Sequence, residues 1–282
     1  MTQLIFWARQ IGGPPSYKPC ELSDAQEVLE TAFSLGIRTY DTAPIYGLWK
    51  SESMLWEVLS SQRKEIHLIS KFWFDWGDDG KTYFDFSSGG IRKQLEKSLK
   101  RLKTDYLDTY LLHIPQSELP IEEILSELNL LKKEWMIHHY GVCNMYLKQL
   151  QDVLSHPLSQ VEYVQDFYNI LERKAENLIF PFLKPNIQFM AYGPLYRGVM
   201  TPLSMKELLE KDEDAINRLM KNTSLLPLYR KKQLYEKVSQ KTGLSLEKIA
   251  INFLDHNPRV DAIIFGTKNA EHLKSFMHFF NL

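Results

Sequence analysis

The strongest constraint in this chain is an alternation. Short runs rich in β-branched and aromatic residues recur from one end to the other, and each is followed by a longer segment whose apolar residues return at helical spacing. The strand-like runs are Leu4 to Ala8, Arg38 to Asp41, Glu65 to Lys71, Tyr106 to Leu112, Ile137 to Gly141, Val161 to Phe167, Ile187 to Ala191 and Val260 to Phe265. The helical patterns cover Ser23 to Leu35, Ser51 to Gln62, Ser88 to Leu102, Pro120 to Glu134, Tyr146 to Leu154, Glu172 to Leu183, Leu228 to Lys241 with Ser245 to His256, and Asn269 to Phe279. Eight βα units in 282 residues fit a closed (β/α)8 TIM barrel of the α/β class. No Gly/Ser/Pro-rich linker interrupts the alternation, so one domain over 1–282 is expected. The competing architecture, an open doubly wound sheet, needs a Gly-rich first turn, and here Pro14 and Pro15 follow Gly12 and Gly13 at once.

Local signals agree with the periodicity. Ser23 with Gln26 three residues later has the pattern of a capping box, Gly36 falls where the first long helix should stop, and Pro120 can take a first-turn position. One connection is long: about 35 residues run from Gly193 to Pro227, with a helical pattern over Met205 to Lys221. This excursion is expected to cover part of the barrel mouth.

Composition removes several function classes. Lys and Arg total 34 against 35 Asp and Glu, a net charge of −1 that offers nothing to nucleic acid or an anionic membrane. A hydrophobic share of 44% supports a core and excludes disorder over the whole length. No apolar run reaches the roughly 18 residues a spanning helix needs, and the opening MTQLIFWARQIGGPP lacks the pattern of a secretory signal, so cytoplasmic residence is expected. Cys20 and Cys143 are too few for a disulfide framework or a structural zinc site, and no metal is expected.

In a barrel of this kind chemistry sits at the C-terminal ends of the strands. Strand two runs out at Asp41 and leads to Tyr46, strand three ends at Lys71, strand four ends at His113, and strand five leads into Cys143 and Asn144. A phenol is a poor acid near neutrality, with a pKa of about 10. An ammonium beside Tyr46 would lower that value, Asp41 would keep Lys71 charged, and neutral His113 could polarise a carbonyl oxygen. This set suits carbonyl reduction given a hydride source.

The stretches GIRTYDTAPIYG at 36–47, LISKF at 68–72, TDYLDTYLLHIP at 104–115, GVCNM at 141–145 and AYGPL at 191–195 resemble the aldo-keto reductase family, with QIGG at 10–13 and GTKNAEHL at 266–273 extending the similarity almost throughout. The resemblance implies a (β/α)8 barrel and an NADPH-dependent reductase (NADP+ in reverse) of a small-molecule aldehyde or ketone. Asp41, Tyr46, Lys71 and His113 would be its catalytic tetrad, with Tyr46 as general acid. By the same resemblance Cys143, in place of a serine, Asn144 and Gln165 would bind the nicotinamide carboxamide, and Tyr192 would stack on its ring. Gly193, Leu195 and Arg197 would follow as the pyrophosphate loop. Gly266, Thr267 and Lys268 would take the 2′-phosphate, with Lys268 favouring NADPH over NADH.

Departures from the family pattern are equally informative. His272 and Phe276 stand where adenine-binding polar residues are usual, and Trp7, Ala8 and Arg9 replace small residues before QIGG. The bottom hairpin of the family is expected to be missing and the C-terminus short, leaving an open substrate cleft. Trp7, Trp49 and Trp73 are the candidate walls of that cleft. The aromatic and acidic stretch at 72–86, with Phe72, Trp73, Asp75, Trp76, Asp78, Asp79, Tyr83 and Phe84, could grip a sugar-like or cationic carbonyl compound. A monomer is favoured. Two other functions fit the same scaffold: a catalytically weak nucleotide-binding regulatory protein, and an isomerase or epimerase using bound cofactor transiently.

Overall fold

A computed structural model describes residues 2–15, 17–76, 82–204, 206–208 and 225–280. Parallel strands β1 (Gln3–Trp7), β2 (Thr39–Asp41), β3 (His67–Phe72), β6 (Leu107–Leu112), β7 (Ile137–Cys143), β8 (Tyr163–Phe167), β9 (Gln188–Tyr192) and β10 (Ala262–Phe265) close into a barrel. Its order is β1-β10-β9-β8-β7-β6-β3-β2, so every neighbour follows in chain order and β1 closes the ring against β2. The eight expected strands are these eight. Between β3 and β6 lies an antiparallel hairpin, β4 (Phe74–Trp76) and β5 (Thr82–Phe84), in the stretch read above as an aromatic loop. Asp78 and Asp79 fall outside the described residues, as does most of the helical pattern expected over 205–221.

Helix α1 (Arg9–Gly12) lies outside the expected helical patterns, while α2 (Leu22–Ser34), α3 (Lys50–Leu59), α4 (Ser88–Leu102), α5 (Ile121–Lys133), α6 (Leu147–Ser155), α7 (Ala175–Leu178), α8 (Leu225–Thr242), α9 (Leu246–Asp255) and α10 (Ala270–Met277) fall on them. In α4 the buried positions Ile91, Leu95, Leu99 and Leu102 recur at the helical period, and the Ser87 hydroxyl accepts the Gly90 N–H at 3.1 Å as its cap. Two local expectations change. Ser23 is no cap, because α2 starts at Leu22 behind Glu21, and Gln26 donates along the helix to Glu30 at 2.8 Å instead. The helix expected over 172–183 is only the short α7 with a 3-10 turn, Phe180–Phe182; Pro181 has no N–H with which to continue it. Gly36 does end α2, at φ 85°, with the Ile37 and Gly36 N–H groups bonded back to Ala32 and Phe33.

Two core layers and a smaller cluster result, the cluster joining Tyr196, Val199, Met200 and Leu208 to Leu228 of α8 and to Leu246 and Ala250 of α9. Ile5, Ile69, Leu111, Cys143, Met190, Ala262 and Ile264 fill the barrel, with Trp7, Tyr163 and Tyr192 packed against them. The larger layer lies between the strands and the surrounding helices, where Phe72 is buried against Tyr110 and Phe86 and so belongs to the core rather than to a ligand cleft.

The turn after β2, which carries Tyr46, is pressed against α1. A Cβ on Gly47 would lie 1.9 Å from the Gly12 carbonyl oxygen, and one on Gly12 would lie 2.7 Å from the Tyr46 backbone. Gly47 also has φ 62°, a left-handed conformation. Gly47→Ala should therefore cost about 2 kcal/mol or more, whereas Gly36→Ala, left-handed but facing open space, should cost about 1 kcal/mol. Chemical denaturation compares the two, and equal losses would show that the Gly12–Gly47 contact does not matter.

Candidate active site

Because all barrel strands are parallel, their C-terminal residues share one rim. Register places Trp7 beside Asp41, Asp41 beside Ile69, Lys71 beside Leu111 and Cys143 beside Gln165. Lys71 and Asp41 are both fully buried and meet at 2.5 Å. Lys71 also donates to the Thr42 carbonyl at 2.9 Å, and Gln165 Nε2 donates to the second carboxylate oxygen of Asp41 at 2.8 Å. The Lys71 ammonium stands 5.2 Å from the Tyr46 ring centroid. Tyr46 Oη is 3.5 Å from His113 Nε2 and accepts the Trp7 indole N–H at 3.1 Å. The four residues expected as a tetrad are thus brought together.

The turn that presents Tyr46 is held from several sides. Its N–H bonds to Ala43 and its carbonyl accepts the Ser51 N–H, while the Ser51 hydroxyl donates to the Ala8 carbonyl at 2.8 Å. Beneath it Glu52, fully buried, accepts from Ser70 at 2.7 Å and pairs with Arg101 at 2.5 Å, tying α3 to β3 and α4. Glu52 reads in sequence as an ordinary first-turn acid of a helix, so nothing local announces this role.

Burial sets the protonation states. It is the largest influence on Tyr46 and raises its pKa; Lys71 pulls the other way, Asp41 pushes up again, and Arg9 and the Trp7 hydrogen bond lower it. The sequence expectation of a lowered phenol pKa is therefore corrected in sign: Lys71 acts as expected, but Asp41 counters it at close range and desolvation outweighs both. Burial opposes the charge on Lys71, yet Asp41 and then Tyr46 carry its pKa above the ordinary lysine value. Burial, followed by Lys71 and Arg9, takes His113 well below 6.5, so its ring is neutral. Sequence reasoning passed over Asp166, next to Gln165 on β8, which burial pushes up to about 6.

The cofactor candidates divide into two groups. Asn144, left-handed at φ 55°, donates to the His113 carbonyl at 2.9 Å and accepts from the Tyr192 hydroxyl at 2.7 Å. Gln165 accepts the buried Cys143 thiol at 3.5 Å. A side-chain amide has two donors and two acceptor lone pairs, so Asn144 and Gln165 keep capacity for a carboxamide, and the donor set fits a nicotinamide. Trp7 packs near Tyr192, ring centroids 5.6 Å apart and tilted by 50°, and meets Tyr46 edge-on at 6.1 Å. Gly193 has φ 72° and a Cβ there would meet the Phe167 ring at 2.3 Å; Leu195 is half-buried and Arg197 exposed on the same turn.

The second group lies at the exit of β10. Gly266 approaches Trp7 so closely that a Cβ would lie 2.4 Å from its carbonyl oxygen, and Gly266 itself accepts from Gln10 at 2.9 Å. Thr267 is buried and accepts the Asn269 N–H, while Lys268 donates to the Pro19 carbonyl at 2.9 Å. His272 is exposed in the first turn of α10. Phe276 is 2% exposed and stacks flat on Phe265 at 3.6 Å, which makes it a core residue and not an adenine contact. Of the candidate cleft walls, Trp73 packs 5.9 Å from His113 and Trp49 is 42% exposed at the cap of α3. No group of three or more potential metal ligands occurs among the described residues, and no helix among them is long and apolar enough to cross a membrane.

A closed parallel barrel with an Asp, a Tyr, a Lys and a His on one rim defines a class of oxidoreductase, and comparison with known proteins gives it a family. The Aldo/keto reductase family model matches residues 4–282, and the chain belongs to that family. It is 28% identical over 255 residues to the aldo-keto reductase YhdN of Bacillus subtilis, covering 88% of this chain and 76% of that protein. It is 31% identical over 212 residues to the NADH-specific methylglyoxal reductase of Escherichia coli, covering 69% and 63%. A probable voltage-gated potassium channel subunit beta of Oryza sativa is 25% identical, with 87% and 78% covered. Among solved structures, the holo form of aldo-keto reductase AKR11C1 from Bacillus halodurans superimposes with a TM-score of 0.77 over 99% of this chain and 87% of that one, at 23% identity, and shares the fold.

The charge states are directly measurable. Histidine ring NMR should find His113 still neutral at pH 6.5, and ultraviolet titration of wild type against Tyr46→Phe should find Tyr46 less than half ionised at pH 10.0. A His113 midpoint at or above 6.5 would contradict the burial of the rim.

Proposed function

We propose that this aldo-keto reductase family oxidoreductase reduces an aldehyde or ketone to the alcohol with NADPH, and that Tyr46 delivers the proton. The observation that carries this reading is the phenol of Tyr46 held 3.5 Å from neutral His113 beside the buried Lys71–Asp41 pair. The bound nucleotide would supply a hydride to the carbonyl carbon. As the carbonyl π pair moves onto oxygen, the phenol transfers its proton there. Lys71 stabilises the phenolate left behind, and Asp41 keeps the ammonium charged and aimed. His113, neutral, donates a hydrogen bond to the carbonyl oxygen and favours the charge developing on it. Asn144 and Gln165 would hold the carboxamide, Tyr192 the ring face, and Lys268 the 2′-phosphate that distinguishes NADPH.

With NADPH and a panel of aldehydes and ketones, Tyr46→Phe should lower kcat at least about 100-fold while nucleotide binding persists. Wild-type turnover in that variant would remove Tyr46 from the reaction.

Trp7 favours a second reading, a regulatory protein that binds nucleotide but turns over weakly. Its indole packs 5.6 Å from the Tyr192 ring and donates to the Tyr46 hydroxyl, the groups a nicotinamide and a carbonyl oxygen would need. If so, Trp7→Gly should tighten NADPH binding and raise kcat/KM by about tenfold or more, one such factor being about 1.4 kcal/mol. Equal binding and turnover in the two proteins would dismiss this reading.

A further inference from the structure

The charges around Tyr46 do not cancel. Lys71 and Asp41 neutralise each other, and His113 and Tyr46 are uncharged near neutral pH. What remains is the guanidinium of Arg9, the first residue of α1, two positions beyond Trp7 at the exit of β1. Its Cζ lies 5.4 Å from the Trp7 ring centroid and 5.7 Å from those of Tyr46 and Tyr17. Its Nε is buried and has no hydrogen-bond partner among the described residues. The acids of the same rim are committed elsewhere, Asp41 to Lys71 and Gln165, Glu52 to Arg101 and Ser70, and Asp166 to the Phe167 N–H, with no ion pair to Arg9 among the described residues. Aromatic faces offset part of the cost of a half-buried cation but supply no acceptor for its N–H groups. A guanidinium in this state is completed by an anion with two oxygens in the plane of its fork.

We propose that Arg9 is the oxyanion-binding residue of this site, and that the carbonyl compound it selects carries a carboxylate or phosphate close to the reacting carbonyl. This rests on the reductase reading above. The same guanidinium lies against the ring of Tyr46, so a ligand paired with Arg9 has its neighbouring atoms beside the phenol. Its field also reaches His113, whose pKa burial and then Lys71 already lower, and Tyr192, where it opposes the rise that burial causes. The chemical class that follows is a short oxo acid or aldehyde acid, with a nucleotide phosphate as the other oxyanion that could reach the same group.

Matched substrates test this. Turnover with NADPH is measured for succinic semialdehyde against butanal, and pyruvate against 2-butanone, in wild type, Arg9→Gln and Arg9→Lys, each first shown to melt cooperatively. The wild type should favour the acid of at least one pair. In Arg9→Gln the acid-to-neutral ratio of kcat/KM should fall about 10- to 100-fold, chiefly through the KM of the acid, and Arg9→Lys should restore part of it. Calorimetry with oxalate gives a readout independent of turnover: binding to wild type and none to Arg9→Gln. Oxalate binding that depends on Arg9 without reduction of any carbonyl would leave the oxyanion site standing and refute the reductase reading. Reduction of both members of a pair with a ratio indifferent to Arg9→Gln would overturn the site and leave the reductase. Loss of NADPH affinity in Arg9→Gln with an unchanged ratio would assign the oxyanion to the nucleotide and overturn the substrate proposal.

Discussion

An ammonium and a carboxylate, both removed from water, meet at 2.5 Å between β2 and β3, and the rim of the barrel is arranged around them. Desolvating such a pair costs several kcal/mol for each ion and is tolerated only where further hydrogen bonds complete both groups. Here the Thr42 carbonyl completes Lys71 and the Gln165 amide completes Asp41, which links β2 and β3 across the barrel to β8. The pair cancels as a charge, yet its two ends act separately on the phenol, Lys71 lowering and Asp41 raising its pKa. Burial, the largest influence, raises that pKa, so Tyr46 is protonated near neutral pH.

The same arrangement explains why the other two sides of the site differ from one another. Towards β7 and β8, Asn144, Cys143 and Gln165 form amide and thiol contacts with spare bonding capacity. Towards β1, Trp7 and Arg9 bring bulk and a charge with no counter-ion among the described residues. The parallel register of β1 with β2 puts Trp7 directly beside Asp41, and the turn after β2 brings the Tyr46 hydroxyl within 3.1 Å of the Trp7 indole nitrogen.

Much of this was legible in the chain. Eight strand patterns became eight barrel strands within a residue or two, because burial on both faces leaves β-branched and aromatic runs too apolar to be loops. Asp41, Lys71 and His113 could be collected as strand-end polar residues, since parallel strands must deliver their ends to one rim. The antiparallel hairpin of β4 and β5 was missed because each strand is only three residues long, too short for a period to register. The Glu52, Ser70 and Arg101 network was also missed, since three common polar residues on separate elements leave no pattern in one dimension.

The sequence by itself determined the number and order of the βα units, and hence which residues would stand on the same rim, because local periodicity and parallel connectivity depend on near neighbours in the chain. It also marked Trp7 and Arg9 as unusual. Only the tertiary structure decided that the phenol pKa of Tyr46 rises, that the indole of Trp7 packs against both Tyr46 and Tyr192, and that Arg9 has no acceptor for its Nε among the described residues. Desolvation and charge balance are sums over residues distant in sequence and close in space, with opposing signs, and the outcome exists only once the distances do.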